Sequence, residues 1–115
     1  VQYAHARISS IFEKAGAIKP GENLDPLSTL EERELIKKLT QYPEIIFDTA
    51  HDYQVHRLTR YATELARVFH GFYEKHKVIT DDEILSSARL SLVLATQIIL
   101  QNIFSLLNID APEKM

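Results

Sequence analysis

Val55, Leu58, Ala62, Leu65, Phe69 and Phe72 recur at spacings of three, four, three, four and three. That rhythm keeps a single stripe on a helix that turns every 3.6 residues, whereas a strand repeats every two. The spacing predicts a helix from about Asp52 to Lys77 with a continuous buried face. An apolar stripe of about five turns needs partners of comparable length to cover it.

The last third of the chain supplies one such partner. Ile84, Leu85, Leu90, Leu92, Val93, Leu94, Ile98, Ile99, Leu100, Ile103, Phe104, Leu106 and Leu107 surround a predicted helix from about Asp81 to Leu107 that holds no Gly or Pro. Thr80 and Glu83 have the spacing of a capping box at its start, and acids in the first turn complement the helix dipole. The segment is long enough for a membrane span. Arg89, Ser91, Thr96, Gln97, Gln101 and Asn102 interrupt it, however, and such groups are costly in hydrocarbon. A central helix packed on several sides is the expectation, with no membrane partner, and Arg89 is expected to find a partner or to sit at the rim, because unpaired burial is costly.

Upstream, Ile8, Ile11 and Phe12, extended by Ala4 and Ala15, predict a helix from about Gln2 to Ala15, closed by Gly16. Residues 17–28 carry two Pro, a Gly and an Asn and read as loop. Ser28 with Glu31, and Thr29 with Glu32, form overlapping capping boxes before a helix bearing Leu30, Leu35, Ile36 and Leu39 and running to about Gln41. Pro43 suits the first position of a shorter helix with Ile45, Ile46 and Phe47. Nothing alternates like a strand. The expected fold is all-α, an antiparallel bundle of about five helices forming one domain over residues 1–115.

Several chemistries are excluded. The chain has no Cys, so disulfides and thiolate metal sites are ruled out. It contains no Gly-rich phosphate loop and no nucleophile elbow. His51, His56, His70 and His76 invite a metal reading, but no HExxH occurs, and His56 and His70 would stand about 21 Å apart on a helix. They are read as exposed or hydrogen-bonding histidines, with no metal. Asp48 and Asp52 are read as a solvated helix end. The formal net charge of −3 argues against broad, non-specific binding to DNA or RNA and leaves room only for a local site.

Four stretches in order, QYAHARISSI at 2–11, HRLTRYATELARVFHGFYEKHKVI at 56–79, ARLSLVLATQIIL at 88–100 and NIDAPEKM at 108–115, resemble the C-terminal anticodon-binding domain of the class I arginyl-tRNA synthetases, the helical domain named for its DALR motif. The resemblance covers essentially the whole chain. It implies a fragment, lacking an initiator Met, of a longer cytoplasmic enzyme that joins arginine to its tRNA with ATP and Mg through an upstream catalytic domain. HIGH and KMSK are absent here. No catalytic residue and no cofactor is therefore expected in this domain. Its expected partners are the anticodon stem-loop of tRNA(Arg) and the catalytic domain of the same chain, with no DNA.

By the same resemblance, Tyr3 and Arg7 of YAHAR, Tyr73 of GFYEKHKV and the terminal Met115 form the anticodon pocket. Tyr3 and Arg7 are spaced i, i+4, so they share a helix face. A phenol ring and a guanidinium there suit splayed bases, which are stacked and read along their edges. Arg60 is either an ion pair with Glu64 or a phosphate contact. Lys114 stands where the family usually has Arg, which keeps the charge but loses the bidentate fork. His76 is a departure from many relatives, His5 is expected to be structural, and Phe69 and Phe72 are expected in the core. Two other readings stay open: the related bundle of another class I synthetase, cysteinyl above all, and a helical interaction module without RNA binding.

Overall fold

The computed structural model describes residues 7–11, 13 and 26–110, with side chains as far as Leu107. Residues 7–11 and 13 are helical. Four longer helices follow: α1 (Leu30–Thr40), α2 (Tyr42–Asp52), α3 (His56–Lys75) and α4 (Glu83–Asp110). No strand occurs among the described residues, in keeping with the expected all-α bundle.

α3 is the helix around which the others assemble, packing against α1, α2 and α4, while α1 also touches α4. It buries Leu58, Tyr61, Ala62, Leu65, Phe69 and Phe72. The stripe read from the sequence is therefore the core face, apart from Val55, which is only half-buried. Ile8 and Ile11 from the N-terminal stretch, Leu35 from α1, Ala88, Leu90, Leu92, Val93, Leu100 and Ile103 from α4, and Leu27 and Val78 from the connections complete the core among the described residues. By length and composition α4 could also cross a membrane.

The helix starts depart from the expected ones in instructive ways. At α1 the Thr29 box forms: Glu32 N donates to Thr29 Oγ1 at 3.2 Å, and Thr29 N donates to Glu32 Oε1 at 3.0 Å. The Ser28–Glu31 box does not form, because Ser28 N also donates to Glu32 Oε1, at 2.9 Å, while Glu31 turns to His76. Pro43 falls second in α2, after Tyr42, and α2 runs to Asp52. The predicted long helix from Asp52 begins only at His56, because Tyr53 takes a left-handed backbone (φ 59°, ψ 24°) and ends α2. At α4 the cap is Asp82, not Thr80: Asp82 Oδ1 accepts from Ile84 N and Leu85 N at 3.1 and 3.2 Å. Thr80 instead joins Ser86, whose Oγ accepts its backbone N–H at 2.7 Å. α4 also runs past Leu107, to Asp110.

Arg89 has the partner that its place in an apolar helix demands. Its Nε donates to Glu32 Oε2 at 2.7 Å and its Nη1 to the Lys77 carbonyl at 2.6 Å. Burial pushes the Glu32 carboxyl up, but the Thr29 backbone and the Arg89 guanidinium outweigh it, so the net shift is below the usual carboxylate range.

Candidate nucleic-acid interface

The last turn of α3 does two jobs. Phe69 and Phe72 point into the core, and Tyr73, one residue on, lies at its edge and is half-buried. The Tyr73 ring stacks on Phe69, with centroids 6.2 Å apart. The Arg7 guanidinium lies 4.7 Å from the Tyr73 ring centroid. A cation over a phenol face is held by the ring quadrupole as well as by contact. Two residues 66 positions apart, each expected in the anticodon pocket, are thus neighbours.

Beside them lies a cleft of about 460 Å³, lined by Ile11, Tyr73, Glu74, Lys75, His76, Lys77, Val78 and Ile79. Ile11, Val78 and Ile79 give it apolar lining, and Glu74, Lys75 and Lys77 bring charged side chains to it. Flat aromatic or guanidinium faces next to polar edges are what a splayed nucleobase requires. The cleft exists because α3 stops at Lys75 and the chain continues extended through His76. His76 is fixed there: its Nε2 lies 2.9 Å from Glu31 Oε1 and its ring packs on Phe72 with centroids 5.9 Å apart. The His76 hydrogen bond is the main reason the Glu31 carboxyl sits below its ordinary pKa. One turn back, His70 Nε2 meets Glu74 Oε2 at 3.0 Å.

The other expected site residues fall differently. Arg60 is exposed on α3, 13 residues before Tyr73 and therefore about 20 Å from it along the axis. The alternative of an Arg60–Glu64 ion pair is not what forms. Lys38 of α1 reaches Glu64 Oε1 at 2.6 Å, and Arg60 and Arg67 act on that carboxylate only from further off. Tyr3, Lys114 and Met115, and the structural role expected of His5, lie outside the described residues. Of the four histidines weighed as ligands, none joins a cluster able to hold a metal among the described residues.

Sequence reasoning missed the part played by the bend at 76–79. His76 stood out only as a departure from relatives, and nothing in its spacing from Glu31 announces a contact across 45 residues. It missed Tyr61 as well, a buried phenol that donates to the Lys38 carbonyl at 2.5 Å. A tyrosine one place before Ala62 of the apolar stripe was the available signal.

The DALR anticodon binding domain family matches the chain over residues 1–115. The chain is similar to arginine–tRNA ligases of Geotalea daltonii, at 48% identity, and of Geobacter metallireducens, at 49%, in each case over 100% of this chain and 22% of the relative. The arginine–tRNA ligase of Desulfitobacterium hafniense is 43% identical over the same shares. The chain therefore spans about a fifth of the length of these relatives. No solved structure matches it significantly.

Proposed function

From a chain that belongs to the DALR anticodon-binding domain family, we propose that it grips the anticodon stem-loop of tRNA(Arg) as one part of an arginine–tRNA ligase. The observation that carries the reading is the Arg7 guanidinium 4.7 Å over the Tyr73 ring, at the lip of the cleft under residues 73–79. One base stacks on this pair while the polar rim reads the edge of a neighbour, and each stacked base contributes about 1–3 kcal/mol. Tyr3, Lys114 and Met115 belong to the same surface in this proposal, and Arg60 meets a phosphate further along. Relatives named as arginine ligases favour this reading over the cysteinyl bundle.

The chemistry of charging is the work of the rest of the longer enzyme, in the cytoplasm, with ATP and Mg. This domain contributes position. Holding the anticodon fixes where the far end of the tRNA lies, so binding free energy here appears as orientation there.

The test is binding by the full-length enzyme to tRNA(Arg) and to anticodon-substituted transcripts, with Tyr73→Ala and Arg7→Ala variants. Each variant is expected to bind tRNA(Arg) more weakly and to discriminate less. Amino-acid-dependent ATP chemistry at saturating tRNA should barely change. Equal retention of native and substituted tRNAs by the unmodified enzyme counts against the proposal.

A further inference from the structure

We infer that His76 and Glu31 are positioning residues for anticodon discrimination: their hydrogen bond sets the direction in which the chain leaves α3, and with it the wall of the cleft against which a base is read. The inference deepens the reading proposed above and rests on it.

α3 has no stop of its own. Helices commonly close on a left-handed glycine with proline soon after, yet residues 75–80 read KHKVIT. At His76 the backbone instead turns extended, at φ −137° and ψ 132°, while its N–H still donates to the Phe72 carbonyl at 3.0 Å. The exit is held by what the residues beyond the helix touch. Val78 is buried, and the Lys77 carbonyl accepts from Arg89. The His76 ring lies on Phe72, with its Nε2 2.9 Å from Glu31 Oε1. In an extended stretch neighbouring side chains point to opposite sides. His76 and Val78, turned inward, therefore leave Lys77 exposed between them on the lining of the cleft.

Glu31 is available for this task because the cap of α1 does not use it. Glu32 closes that helix start and takes both the Ser28 and the Thr29 N–H. Glu31 and His76 are largely withdrawn from water, with side-chain exposures of 23% and 18%, so solvent does not readily replace their bond. A hydrogen bond to an ionised carboxylate is also stronger than one between neutral groups. Among the described residues Glu31 does not line the cleft. Its contribution to RNA recognition must therefore pass through His76, and this separates positioning from touching the RNA.

Discrimination is what such a tie protects. Polar groups read a base edge only when held to within about 0.5 Å of the productive geometry. The Glu32–Arg89 bond is buried among the helices, whereas the Glu31–His76 bond lies at the cleft. Losing the second loosens the wall and leaves the core in place. A loosened wall still offers Tyr73 for stacking but selects poorly among bases.

The test compares affinities of the full-length enzyme for tRNA(Arg) and for an anticodon-substituted transcript, below the melting temperature of every variant. His76→Ala and Glu31→Ala should each lower the ratio of the two affinities several-fold, and the double variant should lose no more than either single one. His76→Gln, whose amide nitrogen falls near the place of Nε2, should restore most of the ratio. Glu31→Asp keeps the charge at the helix start but draws the oxygens back by one methylene. It should fold like the parent and still lose discrimination, so the result does not hang on how the alanine variants fold. Lowered melting temperatures with an unchanged ratio would make the pair a structural tie and overturn the inference. A loss in His76→Ala that neither Glu31 variant shares would mean that His76 itself touches the RNA, and overturns it too. In both cases a ratio abolished by Tyr73→Ala leaves the anticodon reading standing. An unmodified enzyme that does not discriminate removes that reading, and the positioning role with it.

Discussion

Arg89 and Glu32 are 57 residues apart in sequence and meet at 2.7 Å with both side chains withdrawn from solvent. Glu32 simultaneously caps α1, so one carboxylate closes a helix end with Oε1 and anchors α4 with Oε2. Breaking such a buried pair from one side leaves a desolvated charge behind, at a cost of about 3–5 kcal/mol. Arg89→Met should lose about that much in chemical denaturation near neutral pH. The deficit should shrink in acid. The Glu32 carboxyl sits below its ordinary pKa, so its contribution is present above that value and is lost as pH falls through the lowered one. A constant deficit across that range would contradict the assignment.

Tyr61 should make the fold sensitive to alkali. Burial, with Tyr42 nearby, pushes its hydroxyl up to about 12. Between its ordinary value near 10 and that raised value the folded chain holds a proton that the unfolded chain has released, so stability falls as pH rises. Tyr61→Phe should cost about 0.5–1.5 kcal/mol at neutral pH, because the lost partner, the Lys38 carbonyl, still accepts from Gln41 N. It should also flatten the alkaline decline. Melting temperatures of both chains between pH 8 and about 11 would show it.

Tyr53 pays backbone strain for a side chain that packs little. Its φ of 59° is the single positive value among the described non-glycine residues, and it is 82% exposed. Tyr53→Gly should stabilise the chain by roughly 0.5–1 kcal/mol, since glycine enters that region without the steric cost, less its greater freedom when unfolded. The turn itself should survive, because Asp52 accepts from Gln54 N at 3.0 Å and from Arg57, whose guanidinium holds the Asp52 carboxyl down to about 2. A lower melting temperature for Tyr53→Gly would show that the exposed ring has a packing role.

Arg7 and Tyr73 should be energetically coupled before any RNA is present. A cation over a partly exposed ring is worth about 0.5–1 kcal/mol. A double-mutant cycle of Arg7→Ala and Tyr73→Ala, read by denaturation, should return a coupling of that size. Additive losses would mean that the two are merely adjacent.

How much of this was legible in the sequence depends on the reach of each interaction. The stripe from Leu58 to Phe72 was readable because helical period is local, and the bundle followed from it. The Thr29–Glu32 cap was readable for the same reason. The break at Tyr53 was not, because an unbroken apolar rhythm says nothing about one left-handed residue with no glycine to advertise it. Asp82 displaced Thr80 as a cap because several good capping residues stood side by side, and which one wins depends on Ser86 one turn inside the helix. For the candidate site, Arg7 and Tyr73 were named through family resemblance, and their contact is a fact of tertiary structure alone. The choice of Lys38 over Arg60 by Glu64 is likewise set by how α1 lies on α3.

The neighbouring acids Glu31 and Glu32 reach in two directions, one to His76 just past the end of α3 and the other to Arg89, which also grips the Lys77 carbonyl. Both sides of the bend that walls the cleft are thus tied to the first turn of a helix more than forty residues away. The first turn of α1 and residues 76–80 should therefore open together, exchanging their amide protons as one cooperative unit. A ligand seated against the bend would then slow that exchange at both places, including amides it never touches.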